Sequence, residues 1–541
     1  MERELTPKWV LPPKWLRFLI IAILVLGIFF RFVNLDRKVY WCDETYTSLR
    51  IAGYTTEEVV QQVFNRKVID VKALQKYQHP NSEKSVIDTI NGLATEEPQH
   101  SPFYYVMARF WVQMFGSSVA VVRSLSALIS LLTFPCIYWL CLELFGSPLT
   151  GWISIALISV SSLHILYAQE AREYSLWTVS ILLASASLLR AMHKQTKLSW
   201  GIYAITLALS FYSFLFSIWM AIGHGFYVVL TEGFQLSKRV TSYLLASLVS
   251  ILLFAPWFIV VLNNYKVYTS TVSIQRKLPL ELLLQSWGRN LSFLFFDSQV
   301  FSAQVFSDKY PSNFWHLLTF VVCITLVLVG YSIYFLITKT PERIWLFILT
   351  LMVSAALPLV FIDLYLGWRL SSLSRYLIPS CLGIQLAVAY LITTKITDVY
   401  IKMWQQKLWK FFAIALISVG VLSSTVSTQA ETAWTKGSYD NPQIARIVNQ
   451  VKRPLLIGYS SAMCDIFSLS YLVNPNVNFL LLPIFPGSKL LIPNIPGNFS
   501  NVFLFDPHSA KFLYKFKGTD KNNIRMVYKS DNVKLWELKL Y

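Results

Sequence analysis

Eleven apolar runs leave this chain few folds to adopt. A helix needs about 20 largely apolar residues to cross a bilayer. Stretches near that length fall at 16–33, 118–141, 149–166, 174–192, 199–214, 216–231, 241–262, 314–338, 343–362, 375–393 and 409–426. Hydrocarbon offers the backbone no hydrogen-bond partner, so such runs cross as helices. Composition agrees. Charged residues make up 14% of the chain and the mean hydropathy is +0.49, whereas soluble domains carry roughly 25% charged residues. An aromatic content of 15% suits interfacial belts of Trp and Tyr. The fold class expected is a polytopic α-helical membrane protein with about 11 transmembrane helices.

The net charge of +18 does not mark a nucleic-acid binder. Many of the basic residues lie between apolar runs rather than on one soluble face. Four of the six cysteines, Cys136, Cys141, Cys323 and Cys381, sit in or beside apolar runs. No CxxC or His/Cys cluster has metal-ligand spacing, so neither a disulfide nor a zinc framework is expected. Arg17 followed by "FLIIAILVLGIFF" imitates a secretory signal, but Arg31 interrupts where a small-x-small cleavage site would follow. The segment reads as a retained first span.

The stretch "PFYYVMARFWVQMF" (102–115) is too short to span, and it places Arg109 and Gln113 four apart on one helical face. It reads as a helix lying at the interface. With that helix outside the count, the loops alternate under the positive-inside rule. Lys8, Lys14 and Arg17, then 190–197, Lys238 with Arg239, 339–343 and 395–410 become cytoplasmic. Residues 34–117, 167–173, 263–313, 363–374 and the C-terminal tail then share the extracytoplasmic side. Within the first loop, Thr56 with Glu57 and Glu58, and Ser82 before "EKSVIDTIN", read as capped helix starts.

Beyond about residue 427 the composition changes. "NPQIARIVNQVKRPLLIGYSS" reads as helix then strand, and "VNFLLLP", "NVFLFD", "IRMVYK" and "VKLWELKL" as short strands. The division expected is a membrane domain, 1–426, whose first extracytoplasmic loop is 34–117, and an extracytoplasmic α/β domain, 427–541. From Lys436 onward there are 13 Lys or Arg against 6 Asp or Glu. That excess suits contact with anionic lipid and equally an ordinary solvated surface.

Four polar clusters fall at the outer ends of spans: "CDET" (42–45), "EEPQHSPFYY" (96–105), "YAQEAREY" (167–174) and "GWRLSSLSRYLIP" (367–379). Ionisable groups cost about 2.5–3.5 kcal/mol at the centre of a spanning helix, so they pair or line a cavity. Taken singly, each cluster has an ordinary explanation: a solvated cap at Asp43 and Glu44, an interfacial ion pair of Glu170 with Arg172, a lipid anchor at Arg375 or Arg123. His100 and His164 are ordinarily satisfied hydrogen-bonding residues. Two acids near several arginines and aromatics also suit a pocket that handles an anion and a hydroxyl together.

As an ordered set, the clusters resemble the C-type (GT-C) superfamily of polytopic glycosyltransferases, in the branch of protein O-mannosyltransferases and the lipid A aminoarabinose transferase. R-x-x-x-L followed by Asp-Glu is matched by Arg31, Leu35, Asp43 and Glu44. A H-P-P-L-Y-Y-like segment is matched imperfectly by "EEPQHSPFYY", where His100–Ser101–Pro102 departs by one residue. Arg123 opens the next span. Y-x-Q-E-A-R-x-Y is matched by Tyr167, Gln169, Glu170, Ala171, Arg172 and Tyr174, and R-Y-L-x-P by "SRYLIP" at Arg375. The motifs cover mainly 31–175, and the C-terminal domain has no counterpart.

The resemblance implies an inverting transferase that moves a sugar from a polyprenyl-phosphate donor to an acceptor hydroxyl at the extracytoplasmic face of the plasma (inner) membrane. Asp43 would be the general base, and Glu44 would position the acceptor or hold an arginine. Arg172 and Arg375 would bind the donor phosphate, with Arg123 and then Arg369 behind them. Glu170 would orient Arg172, and Glu97 or Glu96 would assist at the acceptor side near His100. Tyr46, Tyr167, Gln169 and Tyr174 would line or support the sugar pocket. The partners implied are membrane lipid, the lipid-linked donor, and a protein, lipid or glycan acceptor, with no nucleic acid. No cofactor is implied, although an acidic pair beside phosphate permits a divalent metal. The alternative is a transporter or flippase for lipid-linked sugars. Such proteins place their sites near the midplane and often carry internal repeats, whereas here the charges collect at one face and no repeat is visible.

Overall fold

A computed structural model describes residues 14–265, 278–298, 300, 311–433, 435–483, 495, 499–505, 524–530 and 533–539. Every expected span is helical. Among the described residues seven helices are long and apolar enough to cross a membrane: Val119–Phe145, Tyr174–Lys194, Lys238–Asn263, His316–Lys339, Glu342–Leu366, Ser374–Thr397 and Met403–Gln429. The pair Pro148–Ser159 and Ser162–Ala168, bent by 64°, makes an eighth. Shorter helices, Lys14–Phe32, Lys197–Ser213 and Ser217–Thr231, lie at the other three expected runs, so seven or eight of the eleven meet that length and composition among the described residues. The chain is an integral membrane protein.

The chain divides into two compact units, neither continuous in sequence. The first comprises residues up to Leu35, Glu97–Tyr104 and Arg123–Ala430 and holds the spans. Leu244, Leu245, Leu248 and Leu252 are exposed along one of its helices, as lipid-facing side chains are. Close helix contact depends on small residues: a Cβ on Gly27 would stand 2.7 Å from Ser159 Cβ. At that crossing the buried Arg31 donates to the carbonyls of Gly27 (2.8 Å), Ser159 (3.1 Å) and Ile158 (3.2 Å). Two of these belong to the C-terminal end of helix Pro148–Ser159, where carbonyls lack intrahelical donors.

The second unit comprises Asp36–Glu96, Tyr105–Val122 and Glu431–Tyr541. Its six-stranded sheet has the order β1-β3-β2-β4-β6-β5, from β1 (Val68–Asp70), β2 (Pro454–Tyr459), β3 (Asn478–Leu482), β4 (Asn501–Phe505), β5 (Ile524–Lys529) and β6 (Lys534–Lys539). β2 pairs in parallel with β3 and β4 and is buried throughout, as a central parallel strand is. The edge strand β1 comes from the first loop and pairs antiparallel with β3, Ile69 opposite Phe479. Leu456, Phe479, Leu481 and Phe503 share a core with Ile444, Ile466 and Phe467, and also with Leu49, Ala52, Tyr54 and Val59 of the loop. Loop and tail therefore fold together.

Several local expectations need correction. Cys42 and Cys464, 422 residues apart, form a disulfide, which cysteine spacing gave no reason to expect. The other four cysteines are free thiols. The first loop helix is capped by Thr55 rather than Thr56, with Glu58 completing the capping box. The second starts at Val86, with Ser85 and Asp88 bonding reciprocally, rather than at Ser82. In helix Pro102–Phe115 Arg109 and Gln113, four apart on one face, differ in burial. Arg109 is buried and donates to the carbonyls of Ile51 (2.7 Å) and Lys84, while Gln113 is exposed. The outward strip is apolar instead, formed by Phe103, Phe110 and Met114.

Candidate functional site

In the membrane unit the helix Tyr174–Lys194 begins immediately after Glu173, where the helix dipole favours an anion. The Glu173 carboxylate is 1% exposed and takes two partners. Arg172 Nε lies 3.4 Å from Oε2, and His100 Nδ1 lies 2.8 Å from Oε1. Arg172 Nη2 stands 3.1 Å from His100 Nε2. One tautomer satisfies the triad: Nδ1–H donates to Glu173 while Nε2 accepts from Arg172. Burial would raise the Glu173 carboxyl, but Arg172 and His100 hold it down to about 2.

The turn that presents His100 is fixed by its own bonds. His100 N donates to the Glu97 carbonyl (2.9 Å), Ser101 Oγ to the Phe211 carbonyl (2.9 Å), and Trp257 Nε1 to the Pro98 carbonyl (3.2 Å). Glu97 is partly exposed on that turn.

Tyr174 has two cations near its ring. The guanidinium carbon of Arg172 is 6.0 Å from its ring centroid and that of Arg375 5.9 Å. Arg375 also stands 5.3 Å from the ring of Tyr376. Two arginine forks beside one buried aromatic form a setting that accepts an anion with delocalised charge.

Arg375 is carried by a loop with a definite anchor. The helix Glu342–Leu366 ends at Gly367, whose φ of 72° is one that glycine adopts freely. The buried carboxylate of Asp363 then accepts from Leu370 N (2.7 Å), Ser371 N (2.7 Å) and Ser371 Oγ (2.6 Å). Trp287 Nε1 donates to Ser371 Oγ (2.8 Å), and Asn290 Nδ2 to the Ser372 carbonyl (2.9 Å). The loop is also coupled to a tyrosine pair by Tyr167 OH, 2.8 Å from Ser374 Oγ, with Tyr167 packed edge-on to Tyr174 at 5.2 Å. Beneath the loop opens a cavity of about 420 Å³, largely apolar, lined among others by Trp287, Asn290, Met352, Ala356, Ser371 and Cys381.

The other sequence candidates in this unit are buried and attached to backbone. Gln169 Nε2 donates to the carbonyls of Phe30 (2.8 Å) and Val33 (2.9 Å), which orients the end of the first helix. Arg123 is fully buried, and its Nη1 donates to the Leu35 carbonyl at 2.6 Å. That contact gives Arg123 an anchoring task at the chain's exit from the first span. Glu170 is 1% exposed, and its carbonyl accepts from Arg172 N at 2.7 Å. Glu173 is a second acid beside Arg172, with Oε2 3.4 Å from its Nε. Sequence reading passed over it, although it lies inside the quoted "YAQEAREY" and directly at a helix start.

In the outer unit Asp43 and Glu44 occupy the first turn of helix Cys42–Ala52. Glu44 is fully buried, and its Oε2 accepts from Trp41 N at 3.4 Å at the helix start. Asp43 is partly exposed. Tyr46 packs against the unit's apolar core. Glu96 pairs with the buried Arg50 at 2.5 Å and accepts from Thr56 N at 2.8 Å, so it holds two helices together. Among the described residues no three His, Cys, Asp or Glu side chains converge as a metal site would.

Residues 99–260 match the family described as dolichyl-phosphate-mannose-protein mannosyltransferase. That segment contains His100, Arg123 and the 169–174 stretch, begins after Asp43 and ends before Arg375. No curated protein sequence matches the chain. Among solved structures it resembles ArnT from Cupriavidus metallidurans bound to undecaprenyl phosphate, with 13% identity and a TM-score of 0.52 over 97% of this chain and 98% of that one. The apo state of the same protein gives 12% identity and a TM-score of 0.53 over the same shares. At such identities the likeness is one of fold. The chain is thus a membrane protein with the fold of ArnT, and its residues 99–260 are similar to the dolichyl-phosphate-mannose-protein mannosyltransferase family.

Proposed function

We propose that the chain is an inverting glycosyltransferase that moves a sugar from a polyprenyl-phosphate donor to an acceptor hydroxyl. The observation that carries this reading is the pair of guanidinium groups, Arg172 and Arg375, about one buried tyrosine, with Ser371 and Leu377 of the segment that carries Arg375 lining a largely apolar cavity. A lipid phosphate asks for both features together. The phosphate leaves as an anion and needs positive charge more than a general acid, and fixed donors stabilise such developing charge without reorganising. The apolar cavity suits the first isoprenoid units of the donor, which remain out of water. The mannosyltransferase match and the ArnT fold support the same class of chemistry.

In this reading the acceptor hydroxyl attacks the anomeric carbon opposite the phosphate, so configuration inverts. Asp43 takes the hydroxyl proton. Arg172 and Arg375 bind the departing phosphate, and Glu173 with His100 keeps Arg172 in place. Glu44, Glu97 and Glu170 support the acceptor and arginine sides, and the tyrosines face the sugar. No cofactor is assigned. The acceptor is a protein, lipid or glycan. The reaction is assigned to the extracytoplasmic face of the plasma (inner) membrane. The Cys42–Cys464 disulfide supports that side, because such bonds persist in oxidising compartments.

The test is transfer in reconstituted membranes from a panel of labelled polyprenyl-phosphate sugars to a crude envelope extract. Transfer by wild type and its loss in a folded Asp43→Asn variant supports both reaction and base. Undiminished transfer by Asp43→Asn moves the base to Glu44 or Glu97. Movement of labelled lipid between leaflets without any transfer favours a transporter and overturns the reading.

A further inference from the structure

We infer that the Cys42–Cys464 disulfide and the C-terminal helix that supplies Cys464 form the positioning device for Asp43, so that turnover depends on a covalent link between the first loop and the C-terminal sheet. The inference rests on Asp43 as the base and goes beyond it by giving the C-terminal domain a task.

The two ends of helix Cys42–Ala52 are held differently. Its C-terminal end is fixed within the loop. Gly53 N closes it onto the Arg50 and Leu49 carbonyls, and Arg50 bonds the Tyr54 carbonyl (2.9 Å), Thr56 Oγ1 (3.1 Å) and Glu96 (2.5 Å). The N-terminal end, which bears Asp43, is bonded to the tail. Cys42 is bonded to Cys464, and Thr45 Oγ1 lies 3.4 Å from the Cys464 carbonyl. Lys436 Nζ stands 6.0 Å from the Trp41 ring centroid, and Val39 N donates to the Glu431 carbonyl at 2.7 Å. Tyr40 meets Tyr471 edge-on at 4.9 Å.

Cys464 itself is on a firm base. It is the second residue of helix Met463–Ser470, whose Met463, Ile466, Phe467 and Leu469 are buried in the core shared with the sheet. The bond therefore ties the residue before Asp43 to the most deeply packed part of the unit. A general base works only within hydrogen-bond reach of its proton. A displacement of about 1 Å costs on the order of 100-fold in rate. Release of the helix start therefore lowers the rate of the chemical step.

All six cysteines lie within the described residues, and Cys42–Cys464 is the single disulfide, so a phosphine reductant has one target. Full-length protein in lipid discs is treated with the phosphine, which is oxidised to its oxide as the disulfide takes two electrons and two protons to give two thiols. Maleimide mass labelling verifies complete reduction. The expected result is a fall in kcat of about tenfold or more with donor KM within about twofold, reversed on reoxidation. Faster hydrogen exchange over 41–47 accompanies it. A Cys42→Ser/Cys464→Ser variant shows the lowered kcat and no response to phosphine. If that variant does not fold, reduction of folded wild type still decides the matter. Unchanged kcat after complete reduction overturns the inference, whatever the exchange shows. Failure of the underlying reading looks different: full transfer by Asp43→Asn removes the base, while the exchange change on reduction persists.

Discussion

His100 Nδ1 lies 2.8 Å from Glu173 Oε1, joining a turn at residue 100 to the residue that precedes a helix, 73 residues later. Arg172 completes the triangle, 3.1 Å from the other ring nitrogen. An arginine fixed by a buried acid and an oriented imidazole does not have to be ordered when a phosphate arrives, which lowers the entropy lost on binding.

Glu173→Gln keeps the shape and removes the charge. Breaking a buried ion pair from one side costs about 3–5 kcal/mol, so the variant is expected to unfold at lower temperature and to bind donor with raised KM. Thermal unfolding in detergent and donor titration measure the two effects. Unchanged donor KM would show that the triangle serves stability alone.

The same acid sets a pH dependence. Its folded value, about 2, is below the ordinary 4.5. Its contribution is therefore complete above the unfolded value and is lost as pH falls from about 4.5 toward 2. Wild-type unfolding temperature is expected to drop through that window, and the Glu173→Gln variant is expected to drop less. Parallel curves would assign the acid loss to other carboxylates.

Arg172 and Arg375 are expected to behave unlike Arg123. Lysine keeps charge but loses the planar fork, so Arg172→Lys and Arg375→Lys should lower kcat/KM for donor by roughly tenfold to 100-fold through two lost charge-assisted bonds. Arg123→Lys withdraws a donor from the buried Leu35 carbonyl. Its expected cost is stability, on the order of 1–3 kcal/mol, with donor KM little changed. Steady-state kinetics beside thermal unfolding separate the two kinds of arginine.

Long-range features of sequence were legible here, and contacts between distant short segments were not. Apolar runs located the helices because hydrocarbon imposes length and composition together. β2, β3 and β4 were visible as short apolar runs, and β5 and β6 by their aromatic and β-branched residues, Val527, Tyr528 and Trp536 among them. β1, only Val-Ile-Asp, has no signal of its own and exists because β3 offers it an edge. Cys42 and Cys464 lie 422 residues apart, and nothing local in sequence pairs them. Within the "YAQEAREY" stretch, the part of Glu173 became visible only with the helix start at Tyr174. Arg109 misled for a related reason: helical spacing places a side chain on a face, and only the packing of loop against helix shows that face to be interior.

Asp363 offers a test of how the arginine loop is held. It accepts three bonds from Leu370 and Ser371, and bonds to a charged acceptor contribute about 1.5–3 kcal/mol each. Asp363→Ala should loosen the loop bearing Arg375 and raise donor KM while leaving acceptor KM near wild type. Asp363→Asn, which retains one acceptor, should lie between. An equal rise in both constants would mean a general loss of folding.

The cavity beneath that loop makes a prediction about the lipid rather than the phosphate. Ala356 and Met352 line it from one helix, and Trp287 and Asn290 from another. Ala356→Trp places a large ring in about 420 Å³ of largely apolar space. If isoprenoid units occupy that space, the variant should raise KM for long-chain donors by about tenfold, equivalent to 1.4 kcal/mol of lost apolar contact. It should leave a short, water-soluble phosphate-sugar analogue nearly unaffected, because that analogue has no tail to displace. The comparison is internal, since both donors use the same arginines and the same base. A matching loss with both donors would mean that the ring disturbs the arginine loop through Ser371. Unchanged KM with both would place the tail outside the cavity, against the lipid-facing surface of the helices.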